Sequence, residues 1–436
     1  MQAISTEEIH RCFLQSSGVC TDTRKITEKS LFVALKGDNF DGNTFVKQAI
    51  ESGASYAITS VSEYANQQNI FYVNDTLHAL QALANYHRKQ FNIPLIGITG
   101  SNGKTTTKEL FYAVLSQKYH TLATKGNLNN HIGVPLTLLQ LNSTHELAII
   151  EMGANHQGEI AMLSKIAEPT IGLITNIGKA HLEGFGGIEG VIKGKTELYR
   201  FLEANQGLII YNADNEMLKV QVSNHQTLTY GFHDQADCKG EILEDTPFLK
   251  LAYKFQHEAV EYVQSNLIGK YNAENILSAI CIGKHLKVDD DAISRGIAAY
   301  VPDNSRSQII KAGKNTIILD AYNANPSSMK AALDNFMKMP NSNKMVILGD
   351  MFELGETSAI EHQNIIAEAL KGNYLSCIFI GPRFGAHKQP NALFFDTTQS
   401  CAAYLKELNQ QPLSILIKGS RGMKLETLLT CFETIA

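Results

Sequence analysis

The segment over residues 94–119 places the strongest constraint on how this chain folds. An apolar, β-branched run, PLIGITG (94–100), leads into the polar glycine loop SNGK and then into the helical stretch TTTKELFYAVLSQKY (105–119). A glycine-rich loop between a strand and a helix is the context of a phosphate-binding loop, because backbone N–H groups and the helix N-terminus both attract an anion. The segment therefore predicts a parallel α/β sheet with an anion site at one strand end.

Within this loop, Lys104 and Thr105 have the clearest expected roles. The lysine would reach the β- and γ-phosphates of a nucleotide, and the threonine hydroxyl would hold Mg²⁺. The match departs from the full GxxxxGK[ST] pattern, whose first glycine falls at Ile98. A glycine-rich turn with an incidental lysine is the alternative. The residues predicted to bind the nucleotide here are Gly100, Ser101, Asn102, Gly103, Lys104, Thr105 and Thr106.

Apolar runs typical of buried strands recur along the chain. ELAIIEMG (146–153), TIGLITNI (170–177) and GLIIYNAD (207–214) are nearly continuous, as expected for strands buried on both faces of a mostly parallel sheet. Residues 226–267 carry shorter alternating runs, which predict an antiparallel insertion. After residue 302 a second series begins with NTIILDAY, MVILGDM, LSCIFIGP, NALFFD and LSILIKGS. Helices are predicted to begin near Asn325-Pro326, Thr357, Thr397 and Met423.

A chain of 436 residues is long enough for about three domains. We predict an α/β protein with a small α/β N-terminal domain (1–90), a central domain with a mostly parallel sheet like that of the P-loop ATPases (91–301), and a doubly wound, Rossmann-like C-terminal domain (302–436). The C-terminal region contains no GxGxxG fingerprint, so dinucleotide binding there is unsupported.

Charge and cysteine content narrow the class of protein. The formal net charge of −5 does not favour nucleic acid or an anionic membrane as a partner. Seven scattered cysteines form no CxxC pair, which fits reduced thiols in a cytoplasm better than a disulfide framework. No signal peptide and no apolar run near the ~18 residues of a membrane span is present in the sequence. We expect a cytoplasmic protein without membrane insertion, and nothing demands more than a monomer.

Three further residues are candidates for the site. Glu151 closes the run LAIIE at a strand end, where a carboxylate is expected to bind Mg²⁺; a solvated strand-end acid is the alternative. His181 follows the next strand, and Lys195 lies near a helix start beside Lys193. Without further context, a structural or surface role is the alternative for this histidine, and a solvated helix position is the alternative for this lysine. The residues by themselves predict an ATP and Mg²⁺ site for phosphoryl transfer, with room for a second cation.

Ordered motifs over essentially the whole chain resemble the Mur ligases, the ATP-dependent amide-forming enzymes of cell-wall precursor synthesis. Some of these motifs are similar to the members that add a D-alanyl-D-alanine dipeptide in particular. The motifs are TDTRKITEKSLFVALKGDNFDGNTF (21–45), TGSNGKTTTKE (99–109), GNLNNHIGVPLTLL (126–139), EMGANHQGEI (151–160), DAYNANPSSM (320–329), LGDMFELG (348–355) and KGSRGM (418–423).

The resemblance implies a reaction. ATP would phosphorylate the carboxylate of UDP-N-acetylmuramoyl-tripeptide, and the amine of D-Ala-D-Ala would attack the acyl phosphate, giving the pentapeptide precursor of peptidoglycan. Lys104, Glu151, His181 and Lys195 would be the catalytic residues. The main physical demand of such a reaction is to stabilise the anionic groups that come together in it, namely the γ-phosphate, the tripeptide carboxylate and the departing phosphate.

The same resemblance implies two Mg²⁺ ions. Thr105 and Glu151 would bind the first ion, whereas His181 would bind the second together with Lys195 as a carbamate formed with CO₂. A carbamate replaces a cation with an anionic oxygen pair, the hard ligand that Mg²⁺ prefers. Lys195 is chosen over Lys193 because KTELY aligns with the family pattern.

Further contacts carry over position by position. Asn275 would contact adenine, Arg306 the ATP phosphates, and Asp320 the nucleotide region. A surface charge in a linker and a strand-end acid are the alternatives for Arg306 and Asp320. Tyr271 stands where the family usually has histidine and Ala321 where it usually has serine, so those contacts are in doubt. The candidate substrate residues are Thr23, Arg24, Asp41 and Gly42 for the UDP-sugar, and Asn127, Asn130, Tyr322, Asn325, Lys418 and Arg421 for the rest of the substrates. Turn and loop chemistry is the alternative for the UDP-sugar set, for Lys418 and Arg421, and for the loop that holds Asn127, Asn129 and Asn130.

Three rival functions remain at this stage. A sibling ligase that adds a single amino acid is disfavoured by DAYNANP, and a folylpolyglutamate synthetase lacks this N-terminal pattern. A non-catalytic homologue that keeps the fold is disfavoured by the presence of all four catalytic candidates. ATP turnover distinguishes the last of these rivals from an enzyme.

Overall fold

A small parallel sheet forms the N-terminal part of the computed structural model, which describes residues 4–64, 67–223, 225–340, 343–407 and 412–432. Its four strands lie in the order β1-β2-β5-β6, with a two-stranded antiparallel ribbon, β3-β4, beside them. The strands are β1 Val19–Cys20, β2 Leu31–Val33, β3 Lys36–Gly37, β4 Phe40–Asp41, β5 Tyr56–Thr59 and β6 Ile70–Tyr72. The helices are α1 Thr6–Leu14, α2 Val46–Glu51 and α3 Thr76–Arg88, with 3₁₀ turns at Thr23–Lys25, Gly42–Phe45 and Ser62–Tyr64.

A nine-stranded sheet follows, in the order β15-β14-β13-β12-β11-β10-β7-β9-β8. Its strands pair in parallel from β8 through β13, and β13 to β15 then pair antiparallel. The strands are β7 Leu95–Thr99, β8 Thr121–Ala123, β9 Leu147–Glu151, β10 Ile171–Ile174, β11 Leu208–Asn212, β12 Thr227–Gly231, β13 Cys238–Glu244, β14 Lys250–Phe255 and β15 Val260–Gln264. The helices are α4 Lys104–Leu115, α5 Gly133–Leu138, α6 Glu159–Ala167, α7 Leu182–Phe185, α8 Ile188–Ala204, α9 Glu216–Lys219, α10 Tyr271–His285 and α11 Asp290–Ala299.

The third sheet has six strands in the order β16-β17-β21-β18-β19-β20. Only the pair β16-β17 is antiparallel among these strands. The strands are β16 Gln308–Ala312, β17 Asn315–Asp320, β18 Lys344–Gly349, β19 Ser376–Ile380, β20 Leu393–Phe395 and β21 Ser414–Lys418. The helices are α12 Pro326–Lys338, α13 Ser358–Ala369, α14 Pro382–Gly385 and α15 Thr398–Glu407, with 3₁₀ segments at Gly355–Thr357, Arg421–Met423 and Leu425–Cys431.

Strand register brings the site residues to common sheet edges. In the central sheet, Glu151 at the end of β9 lies opposite Ile98, one residue before the end of β7. In the C-terminal sheet, Asp320 at the end of β17 lies opposite Lys418 at the end of β21. Because parallel strands end at the same edge, each sheet presents its polar strand ends together, which is where ligands bind in open α/β sheets.

One hydrophobic cluster joins the N-terminal part to the central sheet. It contains Leu31 and Ile58 from the first sheet, Leu83 from α3, and Leu95 and Ile150 from the central sheet, all fully buried. Helix α3 packs against α5 and α6 of the central region. The two parts therefore share a core, whereas the C-terminal sheet is flanked by two other clusters, one of which also includes Ile268 of the central part.

The predicted fold class is confirmed, with the mixed α/β composition and parallel-dominated sheets that the apolar runs indicated. Two details differ. Residues 238–264 are antiparallel, as predicted, but they extend the central sheet as β13 to β15, and β12 within the same stretch pairs in parallel. The segment predicted to be helical from near Met423 is a 3₁₀ helix rather than an α-helix, formed by Arg421–Met423 and Leu425–Cys431. Leu425 and Leu428 are fully buried, so packing on the sheet sets this short, tight geometry.

Close packing between α7 and α8 generates a stability prediction. A Cβ atom on Gly190 of α8 would lie 1.8 Å from the carbonyl oxygen of Phe185 in α7. We expect Gly190→Ala to lower the free energy of unfolding by about 1–3 kcal/mol, because the backbone must shift to relieve the overlap. Urea denaturation measures the change. The control is Gly37→Ala, where no atom lies within 4 Å of the added Cβ; equal effects of the two substitutions would contradict the packing argument.

Candidate active site

A cavity of about 530 Å³ opens where the strand ends of the central and C-terminal sheets face each other. It brings together most of the candidate residues from both sheets. The predicted residues that line it are Ser101, Asn102, Gly103, Lys104, Thr106, Asn127, Asn130, Glu151, His181, Asn275, Arg306, Asp320, Tyr322, Asn325 and Lys418. The predicted residues that are not part of its lining are Gly100, Thr105, Lys195, Arg421, Thr23, Arg24, Asp41 and Gly42.

The glycine loop is held against the end of β10. Gly100 has a φ of +142°, and a Cβ atom there would lie 2.0 Å from Oγ1 of Thr175, so no larger residue fits. The backbone N–H of Ser101 donates to the carbonyl of Asn176 (2.9 Å), and the N–H of Asn102 donates to the side-chain Oδ1 of Asn176 (3.0 Å). Thr175 and Asn176 were not singled out from sequence; they follow the run TIGLI but carry no motif of their own.

Gly103 ends the loop as the N-cap of α4, with a left-handed φ of 80°. A Cβ atom there would approach Oδ1 of Asn275 to 2.9 Å, so α10 packs directly on the loop. The same Oδ1 accepts from the hydroxyl of Thr107 (3.1 Å), and Nδ2 of Asn275 donates to Asn272 (2.9 Å). Asn275 therefore faces the nucleotide loop with its amide oriented by two protein contacts.

Lys104 is folded back onto its own loop. Its Nζ donates to the carbonyl oxygens of Gly100 (2.7 Å) and Ser101 (3.3 Å). Burial lowers the pKa of Lys104 to about 8; the negative charge of Glu151 opposes this shift and the positive charge of Arg306 adds to it. An anion in the loop would offer this ammonium the counter-charge that the protein alone supplies only in part.

Glu151 is a buried carboxylate with a free oxygen. Only 1% of the residue is exposed, Oε1 accepts from Nδ2 of Asn129 (2.7 Å), and Oε2 is buried without a hydrogen-bond partner among the residues that the structure describes. An unpartnered buried carboxylate oxygen is costly unless a cation meets it. In the described part of the chain, no group of three or more His, Cys, Asp and Glu side chains could hold a metal ion. Mg²⁺ is often bound by only one or two protein carboxylates and completes its coordination shell with phosphate and water. The free oxygen of Glu151 fits a site of this type.

Lys195 is buried next to the cavity wall, whereas Lys193 on the same helix is exposed. Its Nζ donates to the carbonyl of Ala154 (3.3 Å), a lining residue, and lies 5.1 Å from the ring centroid of Phe185. Burial holds the pKa of Lys195 well below its usual value, and the charge of Lys104 lowers it further. In the described part of the chain, no carboxylate lies at hydrogen-bond distance from this amine, so burial disfavours its charged form.

His181 links the central sheet to the C-terminal part. It has a left-handed φ of 54°, and its Nδ1 lies 2.5 Å from Oε2 of Glu353 in the loop after β18. Nearby, Nζ of Lys179 donates to Oε1 of Glu361 on α13 (2.6 Å). Glu353 lies inside the motif LGDMFELG, but no local sequence signal points to its contact with a residue so distant along the chain.

The C-terminal wall carries a buried ion pair. Nζ of Lys418 donates to Oδ2 of Asp320 (2.5 Å), and the other carboxylate oxygen accepts from the N–H of Ser307 (3.3 Å). Tyr271 stands where the family usually has histidine, and its hydroxyl is hydrogen-bonded to the hydroxyl of Ser307 (2.8 Å). These contacts tie α10 of the central part to β17.

Arg306 and Arg421 both lie against Tyr322. Their guanidinium carbons are 3.7 and 5.2 Å from its ring centroid. Nε of Arg306 is buried and has no hydrogen-bond partner. Asn325 caps α12 and also donates from Nδ2 to Oδ1 of Asn102 (2.7 Å), which joins the C-terminal wall to the glycine loop.

The four candidates of the N-terminal part lie in turns away from the cavity. Arg24 bonds to the carboxylate of Asp22 through Nε (2.9 Å) and Nη2 (2.8 Å), next to Thr23 in the same 3₁₀ turn. Asp41 caps the next 3₁₀ turn, and a Cβ atom on Gly42 would lie 2.6 Å from the carbonyl oxygen of Leu35. Among the loop asparagines, Asn130 accepts from the N–H groups of residues 132 and 133, so it has a turn role as well as a place in the cavity wall.

Comparison with known proteins covers almost the entire chain. Models of the Mur ligase family catalytic domain, the Mur ligase middle domain and the Mur ligase glutamate ligase domain match residues 15–88, 98–283 and 305–421. A UDP-N-acetylmuramoyl-tripeptide–D-alanyl-D-alanine ligase from Bacillus subtilis is 36% identical over 426 residues, covering 94% of this chain and 92% of that protein. The ligase of the same name from Escherichia coli is 35% identical over 436 residues, covering 98% and 96%.

Solved structures agree with the sequence matches. MurF from Acinetobacter baumannii superimposes with a TM-score of 0.88 at 30% identity, covering 99% of both chains. MurF from Thermotoga maritima in complex with ADP gives a TM-score of 0.84 at 27% identity, covering 97% of this chain and 98% of that one. The chain therefore belongs to the Mur ligase family. Within the family it is of the MurF type, which confirms the resemblance that the motifs indicated.

The pair of Asp320 and Lys418 generates a second stability prediction. Their side chains are 15% and 2% exposed, so removing the carboxylate leaves a buried ammonium without its partner. We expect Asp320→Ala to lower the free energy of unfolding by about 3 kcal/mol. The double variant Asp320→Ala/Lys418→Met should cost less than the single one, as measured by urea denaturation. A double variant that is at least as unstable as Asp320→Ala would show that the lost charge pairing is not the cause.

Proposed function

We propose that this protein is an ATP-dependent ligase that joins D-alanyl-D-alanine to UDP-N-acetylmuramoyl-tripeptide in peptidoglycan precursor synthesis. The observation that carries the proposal is the full-length match to MurF-type ligases together with a cavity that collects a phosphate-binding loop, the cations of Lys104 and Arg306 and a buried carboxylate. A non-catalytic homologue has no physical need to bury Glu151 and Lys195 beside one cavity, since each costs desolvation.

The first half of the proposed reaction takes place at the glycine loop. The N-terminus of α4, with Gly103 at its N-cap, and the Lys104 ammonium would hold the ATP phosphates, whereas the N–H groups of Ser101 and Asn102 stay bonded to Asn176. The tripeptide carboxylate attacks the γ-phosphorus, forming an acyl phosphate and releasing ADP. Arg306 supports this role with a buried, unpartnered Nε and a guanidinium oriented by Tyr322, both suited to a phosphate oxygen.

The second half forms the amide bond. The amine of D-Ala-D-Ala attacks the acyl carbon, and the tetrahedral intermediate collapses with release of phosphate. Lys418 at the cavity wall and Arg421 beside Tyr322 are the cations of the C-terminal part that we assign to the departing phosphate or the dipeptide carboxylate. Asn127, Asn130, Tyr322 and Asn325 would contact the substrates from the two facing walls.

We assign two Mg²⁺ ions and a carbamate to the site. Thr105 and Glu151 would bind one ion, and His181 and a carbamate on Lys195 the other; the ions would neutralise the phosphate charge as it develops. The free Oε2 of Glu151 supports the first assignment. For the second, CO₂ reacts with a neutral amine, forming a carbamate and releasing a proton, and burial keeps the Lys195 amine disposed to that form.

The remaining assignments concern the domains and the setting. We assign UDP-sugar binding through Thr23, Arg24, Asp41 and Gly42 to the domain 1–90, ATP binding to 91–301, and completion of the site to 302–436. In the described residues, none of the helices combines the length and apolar character that crossing a bilayer requires. The seven cysteines are free, which suits the cytoplasm that we propose as the site of action of a monomeric enzyme.

The decisive experiment measures phosphate release from ATP with UDP-N-acetylmuramoyl-tripeptide, comparing D-Ala-D-Ala with single amino acids. We expect release to depend on the dipeptide and the product mass to show the new amide. Turnover that needs a dipeptide precursor and a free amino acid would instead indicate the sibling ligase. Absence of turnover with every pair, and no effect of Lys104→Ala, would indicate the non-catalytic homologue.

Nucleotide binding should be coupled to proton uptake at Lys104. Because the pKa of Lys104 is about 8 in the free protein, about half of the amines are neutral at pH 8. The phosphates of ADP raise this pKa, so binding at pH 8 should take up ~0.5 proton per site. Calorimetric titration in buffers of different ionisation enthalpy measures the uptake.

The matched control for this prediction is Lys104→Arg. A guanidinium stays protonated at pH 8, so the variant keeps the charge but has no proton to gain. We expect its binding enthalpy to be independent of the buffer. Proton uptake that persists in Lys104→Arg would assign the coupling to another group.

A further inference from the structure

A carboxylate from the C-terminal part reaches the histidine of the central part. Oε2 of Glu353 lies 2.5 Å from Nδ1 of His181. Nδ1 is buried and forms no well-aligned hydrogen bond among the described residues, so the carboxylate of Glu353 approaches it without one. The histidine side chain is 19% exposed and lines the cavity, whereas that of Glu353 is 52% exposed. The contact therefore joins the edge of the cavity to a loop of the facing domain.

The backbone on both sides of this contact is unusual. His181 and Glu353 have φ values of 54° and 62°, in the left-handed region that side chains other than glycine seldom adopt. Gly355 packs the same loop against Glu183, with its ideal Cβ position 3.3 Å from the Cβ of that residue. Strained backbone that persists on both sides of one contact is typical of functional sites, where surrounding structure holds it in place.

The chemistry of a metal-bound imidazole explains such an arrangement. A histidine that binds a metal through one ring nitrogen commonly donates the proton on the other to a carboxylate or carbonyl, which fixes the tautomer and the ring orientation and makes the ligand more basic. With Nδ1 next to Glu353, Nε2 is the ring atom that keeps a lone pair for a cation.

We propose that Glu353 is the positioning residue of the second metal site: it accepts the Nδ1 proton of His181 and so directs Nε2 toward the cation. This inference rests on the proposed function, since it takes His181 as a metal ligand. Because Glu353 belongs to the C-terminal part, the ligand set reaches full strength only when that part lies against the central sheet. Metal affinity and approach of the C-terminal domain are then coupled, and each favours the other.

The neighbouring ion pair supplies a matched control. Lys179 and Glu361 join the same two parts of the chain at 2.6 Å without contacting His181. Loss of Glu361 weakens the approach of the domains but leaves the imidazole proton with its partner. Glu353→Ala retains a Cβ atom at the left-handed position, so it removes the carboxylate without changing the demand on the backbone.

The experiment measures Mn²⁺ binding by electron paramagnetic resonance, with the full chain, a non-hydrolysable ATP analogue and UDP-N-acetylmuramoyl-tripeptide. We expect the unaltered protein to bind two Mn²⁺ ions. Glu353→Ala should weaken one of them about 10-fold or more and leave the other unchanged. Glu361→Ala acts through domain approach alone, so it should weaken that ion less than Glu353→Ala does, and Glu353→Ala should have no further effect in a His181→Ala background. Thermal unfolding of each variant verifies that it is folded.

The outcomes distinguish failure of the role of Glu353 from failure of the proposed metal role of His181. If His181→Ala weakens one ion but Glu353→Ala binds both like the unaltered protein, the role of Glu353 is overturned and the metal role of His181 stands. Equal weakening in Glu353→Ala and Glu361→Ala would overturn it too, since domain approach alone would then explain the effect. If His181→Ala leaves both ions unchanged, the proposed metal role of His181 and the inference fail together.

Discussion

Desolvation of charged side chains is the constraint on which the arrangement of this site depends. Glu151 and Lys195 are buried at the edge of one sheet, Lys104 is partly buried beside them, and their protein partners satisfy them only in part. Burying a charge without full compensation is costly, so bound groups that supply the missing partners relieve this cost. Lys104 therefore favours an anion beside it, and the free Oε2 of Glu151 favours a cation.

The cavity is lined by residues from the strand ends of two facing sheets. The central sheet contributes the glycine loop, Glu151 and His181, and the C-terminal sheet contributes Asp320 and Lys418 at its own strand ends. Contacts between Asn102 and Asn325, between Lys179 and Glu361 and between His181 and Glu353 cross from one wall to the other. Because these contacts are polar, exchange with water costs little net free energy, as a surface that must open for substrates requires.

Local signals explain what could be predicted from the sequence. Buried parallel strands and the glycine loop are recognisable from short sequence patterns, and a capping asparagine before Pro326 indicates the start of α12, so these features were predictable. Contacts between distant residues have no local sequence pattern. Asn176 bonds to the glycine loop and Glu353 contacts His181 only because the tertiary fold brings them together. The 3₁₀ geometry of the helical segment after Met423 was not predictable for a related reason, since Leu425 is buried by residues distant along the chain.

The hydrophobic cluster shared by the first two sheets has a consequence for biosynthesis. Leu31, Ile58 and Leu83 are covered by side chains that belong to strands and helices beyond residue 94, including Ile150 and Leu198. As the chain leaves the ribosome, the N-terminal segment therefore exposes half of its core until the central sheet has been synthesised. Its apolar surface is a natural target for chaperones during that interval, whereas the C-terminal sheet, with its own clusters, can complete its core as soon as its last strand emerges.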